Sequence, residues 1–152
     1  TLKSVASANP MFMSTADKAT ALATLAQVET QVTELKLRIL ACAQDVAETT
    51  AARDAGDWLA HATRSRPEDT RADLALAVAL DRRYTVLADA LRDGAANVAQ
   101  AQVITGALDA LPRDVPAEMV GLAEERLVGG ATRGTMDLLT ECTEAADKVL
   151  VF

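Results

Sequence analysis

Aromatic residues and histidine are almost absent from this chain. Of its 152 residues only 3% are aromatic, with one Trp, one Tyr and two Phe, and there is one His. So few bulky strand formers argue against a core built from a sheet. A single histidine, His61, removes nearly all arrangements in which an imidazole acts as general base or metal ligand. No Ser, Cys or carboxylate pair lies near it in the sequence, so His61 reads as a surface or packing residue. Cysteine is equally scarce. Cys42 and Cys142 both fall in helical patterns and read as small buried hydrophobes; a disulfide joining the first helix to the last is the alternative. No apolar run approaches the roughly 18 to 20 residues of a membrane-spanning helix. The N-terminus lacks the charged start, apolar stretch and cleavage site of a signal peptide, and the expected location is cytoplasmic. Phosphate-binding glycine loops and a nucleophile elbow are missing too. No cofactor, metal or small-molecule substrate is expected. The net charge of −7 and pI near 4.7 disfavour general attraction to phosphate backbones, while leaving room for a local basic patch.

What the chain does have is Ala, Leu and Val. Half the residues are hydrophobic, and strong helix formers dominate them. The expected fold class is all-α, a bundle of six or seven helices. The length fits one domain with a sizeable core. Residues 1–13 show no helical period and contain Asn9-Pro10, and they read as a flexible arm. Residues 14–152 read as a single helical domain. Its abruptly apolar end, Val149-Leu150-Val151-Phe152, suggests the N-terminal fragment of a longer protein.

Ser14 or Thr15 offers an N-cap. A helix of nearly 40 residues, free of Gly and Pro, is expected from there to about Arg53. Along it Leu25, Val28, Val32, Leu35, Ile39, Cys42 and Val46 alternate spacings of three and four, a heptad seam. Glu29, Gln31, Lys36, Arg38 and Asp45 flank it with mixed charge. The seam packs either against the rest of its own domain or against a second copy in a homodimer. A helix of that length would exceed the width of the globule, so part of it should find a partner or stand exposed.

Gly56 suits the left-handed position that ends the long helix, and Asp57 can cap the turn around Trp58, a core anchor. Ser65 and Glu68 form a capping-box pattern with Pro67 in the first turn, opening a helix to about Asp81. Tyr84 to Arg92 is a shorter helix closed by Asp93-Gly94. Asn97 caps a helix to about Leu111. Pro116 opens another that ends near Gly129-Gly130, and Thr132 caps a last helix carrying Met136, Leu138, Leu139 and Cys142.

One cluster stands out among the charges. Arg64, Arg66, Arg71, Arg82 and Arg83 fall within twenty residues, among short helices with tight turns, and are candidate DNA-contacting residues in a helix-turn-helix-like unit. Equally, they are exposed arginines paired with Glu68, Asp69, Asp73 and Asp81. Carboxylates elsewhere sit beside Arg or Lys, as in Glu124-Glu125-Arg126, and read as solvated helix faces; a carboxylate-dependent hydrolase is the remote enzymatic alternative.

The stretch Gly56 to Leu139 resembles a known family. The resembling residues are Asp57-Trp58-Leu59-Ala60 with the Ser65/Glu68 helix start, the Arg71 to Leu80 segment, and Leu91-Arg92-Asp93-Gly94. Ala99-Gln100-Ala101-Gln102-Val103-Ile104, the Leu111-Pro112 turn and the Ala123 to Leu127 helix complete the set. In this order they are similar to the domain of unknown function 222, or 13E12 repeat, family. Two positions depart from its pattern: Arg82-Arg83-Tyr84 stands where a proline is usual, and Asn97 where a serine is usual. The resemblance implies a domain found N-terminal to an HNH nuclease module in actinobacterial and phage-related proteins. It therefore implies a non-catalytic targeting or assembly domain of an HNH endonuclease-like protein, assisting DNA recognition or, alternatively, dimerising and regulating without touching DNA.

Overall fold

Seven α-helices and one short 3-10 helix, with no strand among them, make up residues 9–132, the part of the chain that the computed structural model describes. The 3-10 helix, Pro10–Phe12, falls within the segment expected to be an arm and is capped by the Asn9 side chain, which accepts the Met11 N–H at 3.0 Å. The helices are α1 (Thr15–Ala41), α2 (Gln44–Thr50), α3 (Ala55–Thr63), α4 (Pro67–Arg82), α5 (Thr85–Arg92), α6 (Val98–Asp109) and α7 (Ala117–Thr132). The helix expected after Thr132, with Cys142 and the disulfide it would make, lies outside the described residues.

The long N-terminal helix is shorter than its pattern suggested. It has 27 residues, about 40 Å at 1.5 Å per residue, and ends at Ala41. No Gly or Pro marks the break. The N–H groups of Cys42 and Ala43 bond to the carbonyls of Ile39 and Leu40, three residues back instead of four, and this tightens the last turn. The chain then restarts as α2, which packs beside α3 and brings Ala47 to full burial. Packing of that alanine has overridden local propensity, which favoured an unbroken helix to about Arg53.

Caps and turns differ in detail from their sequence signals. Ser14 does cap α1, accepting the Asp17 N–H at 3.1 Å. Gly56 does not end a helix. Ala51 takes the left-handed conformation (φ 55°) after α2, while Gly56 lies inside α3. A Cβ on Gly56 would stand 3.0 Å from the Thr70 carbonyl, so its value is the close approach of α3 to α4. The cap of α3 is Asp54, which accepts the Asp57 N–H at 2.8 Å. That hydrogen bond, above all, lowers the Asp54 pKa. The Ser65 box does not form; Arg66 occupies the N-cap of α4, and the Ser65 hydroxyl pairs with that of Thr63 instead. Asn97 and Gln100 form a complete capping box on α6. Gly129 and Gly130 continue α7 to Thr132 where a stop was expected.

The core forms around α5, whose Leu87 and Leu91 are fully buried. Leu37 and Leu40 of α1, Leu76 and Leu80 of α4, Ile104 and Leu108 of α6, and Val128 of α7 close over them. Alanines 77, 79, 90 and 101 fill the remaining contacts, so helices approach closely with little side-chain volume. Trp58 is only half-buried and stays outside this cluster. Among the described residues the buried aromatic is Tyr84, at the α4–α5 junction.

Candidate functional site

Helix α1 has two apolar faces, and the bundle uses one. Thr30, Glu34, Leu37 and Leu40 turn inward and are buried. The seam residues Leu25, Val28, Val32, Leu35 and Ile39 are all exposed, Val32 and Ile39 each by 61%. Each of Val32 and Leu35 is followed two positions later by an inward residue, Glu34 and Leu37. Two residues turn a helix by about 200°, so seam and core face lie on opposite sides. Cys42, expected to be buried, is exposed at the end of the seam. Val46 lies beyond the break on α2 and is half-buried, so it leaves the seam. Upstream of Thr30 the helix has no buried residue, and it touches the bundle where Gln27 donates to the Asp93 carbonyl at 3.1 Å.

The five arginines fall into two groups. Arg64 follows α3 in the left-handed conformation (φ 55°), Arg66 caps α4, and Arg71 is exposed on its second turn. Arg82 and Arg83 stand at the other end of α4, about 24 Å away along a 16-residue helix. Arg64, Arg66, Arg71 and Arg82 make no ion pair among the described residues, and Asp73, expected to pair with them, bonds to Lys36 at 2.7 Å. Arg83 binds Asp109 at 2.6 Å and lies 5.0 Å over the Tyr84 ring. Tyr84 donates its hydroxyl to the same Asp109 oxygen at 2.5 Å. Burial, then the hydrogen bond to Asp109 and its charge, push the Tyr84 pKa up to about 12.

Two glutamates are buried, Glu34 on α1 and Glu124 on α7, the second of which reads in the sequence as part of a solvated helix face. Glu124 accepts the Leu87 N–H at 2.9 Å. Glu34 receives no hydrogen bond from the described residues; Arg38 and Arg92 stand 3.4 and 3.7 Å from it. His61 is exposed. Among the described residues no three His, Cys, Asp or Glu side chains are grouped to hold a metal ion. No helix there is long and apolar enough to cross a membrane.

No curated protein and no solved structure matches the chain. The family model for the domain of unknown function DUF222 matches residues 14–150, nearly the whole length, and covers every helix from α1 to α7. The chain belongs to the DUF222 family.

Proposed function

We propose that this is a non-catalytic assembly domain that pairs with a second copy of itself through the α1 seam. The observation that carries the reading is a heptad run, Leu25 to Ile39, exposed at every position on the side of α1 away from the bundle. A period of 3.5 is the repeat that two helices need to bury a common stripe. Val32 and Ile39 at one core position and Leu35 at the other match the two-strand preference, whereas Leu25 and Val28 reverse it in the preceding heptad. The two bundles would flank the paired helices without meeting each other. In a longer protein of the HNH endonuclease type, which the family resemblance implies, such pairing would hold two nuclease modules side by side. This domain would position and the other would cut, within the cytoplasm. The DNA reading has less support, because α4 separates the arginines and Arg83 is engaged by Asp109.

Sedimentation velocity on the intact chain and on Val32→Glu/Leu35→Glu tests this. Both residues are exposed, so the variant should keep its helicity while placing like charges across the seam. The expected result is a dimer that becomes a monomer in the variant. A variant that still dimerises would overturn the reading.

A further inference from the structure

The order of branched residues along the α1 seam changes partway. Leu25 and Val28 hold its two core positions in one heptad, and Val32 and Leu35 hold the same two positions in the next. In a parallel pair each residue meets its own copy. Leu25 would then face Leu25 and Val28 would face Val28, the assignment that two-stranded coils disfavour. Reversing one helix removes the mismatch. Each layer then joins one position of each kind: Val32 with the partner's Leu35, Val28 with the partner's Ile39, and Leu25 with the partner's Cys42. All six residues are exposed, and every layer sets a larger side chain against a smaller one.

The charges flanking the seam select the same direction. In a parallel pair the two different flanks of the helices meet. Glu29 would face the partner's Thr24 and Lys36 the partner's Gln31, with no charge pair. Reversal brings like flanks together. Glu29 then meets the partner's Lys36, and by symmetry the contact occurs twice. On the other flank Gln31 meets the partner's Arg38, without like charges in contact. Glu29 is exposed and makes no ion pair among the described residues. Lys36 holds Asp73 at 2.7 Å, yet its side chain is half-exposed and its ammonium has further N–H donors.

We infer that the two copies of α1 pair antiparallel, in the register that sets Val32 against the partner's Leu35. The orientation rests on the pairing proposed above. Cys42 reports it. The starting variant is the full chain with Cys142→Ser, in which Cys42 is the sole thiol. In this register Cys42 lies about 25 Å along the axis from its own copy, well outside the roughly 7 Å between Cα atoms that a disulfide spans. Leu25→Cys added to this variant places a thiol against the partner's Cys42, at a position already exposed.

Mild oxidation with oxidised glutathione should leave Cys142→Ser as single chains on a non-reducing gel. It should convert Leu25→Cys/Cys142→Ser to covalent dimers, and further change of Cys42→Ala should abolish them. A crosslink in Cys142→Ser, or in the triple variant, would put like residues in contact and overturn the orientation. No crosslink in any variant that still sediments as a dimer would overturn the register. A single-chain mass for Cys142→Ser by sedimentation velocity would overturn the pairing itself, so the two failures are distinct. Glu29→Lys should weaken the dimer about fivefold or more at low salt, the size of two lost exposed ion pairs. Unchanged affinity would contradict the contact between Glu29 and the partner's Lys36.

Discussion

Glu124 of α7 accepts the backbone N–H of Leu87 at 2.9 Å, and so caps α5 from another helix. Leu87 lies in the first turn of α5, where N–H groups have no partner within the helix, and the N-cap residue Tyr84 makes no side-chain cap of its own. The negative charge also faces the positive end of the helix dipole. Glu124→Ala should therefore lower the unfolding free energy by about 2 kcal/mol, the range for a buried hydrogen bond to a charged group. Glu124→Gln keeps an acceptor and should cost less. Urea denaturation measures both, and a loss under about 0.5 kcal/mol for the alanine variant would contradict the cap.

Gly94 is required twice over. Its φ of +69° is left-handed, and a Cβ there would collide with the Gln27 side chain of α1. Gly94→Ala should cost about 1 to 2 kcal/mol from the backbone alone, with the collision in addition. The double variant Gly94→Ala/Gln27→Ala should be less destabilised than the sum of the single variants. Strict additivity would mean that the collision does not matter.

The pH dependence follows from Tyr84. Its folded pKa, about 12, lies above the ordinary phenol value of 10.0, so the fold favours the protonated phenol. That contribution is fully present below pH 10 and is lost as pH rises through 12. Stability should fall across this window in the wild type, and less in Tyr84→Phe. Tyr84 is the sole tyrosine, so phenolate absorbance reports its titration directly. A midpoint near 10 in the folded protein would contradict the burial argument.

Arg83 is half-exposed, as is Asp109, so the pair should contribute under about 1 kcal/mol. Arg82→Ala/Arg83→Ala is expected to leave retention on DNA at low salt unchanged. Salt-dependent DNA affinity that disappears in this variant would favour recognition of DNA and would count against the present reading.

The fold class was legible because its signals are redundant. Ala and Leu content, helical spacing and the Ser14, Asn97 and Gly94 punctuation all point the same way. The break after Ala41 was not legible, since it contains no Gly or Pro and depends on the burial of Ala47. Trp58, expected as the core anchor, is half-buried and Tyr84 is buried for a similar reason: which aromatic reaches the core depends on how the helices meet. The seam itself was legible as a heptad, but its direction was not. Both α1 faces carry leucines, and only the fold shows that Leu37 and Leu40 take the core while Leu35 stays outside. Glu34 and Glu124 were hidden because a charged residue on a helix usually faces water.

Dimerisation through α1 is most directly tested by light scattering of the unaltered chain over a wide concentration range. The chain mass is 16.0 kDa. The expected result is a mass that rises with concentration to twice that value and stays there. A mass of one chain at every concentration would contradict pairing through α1.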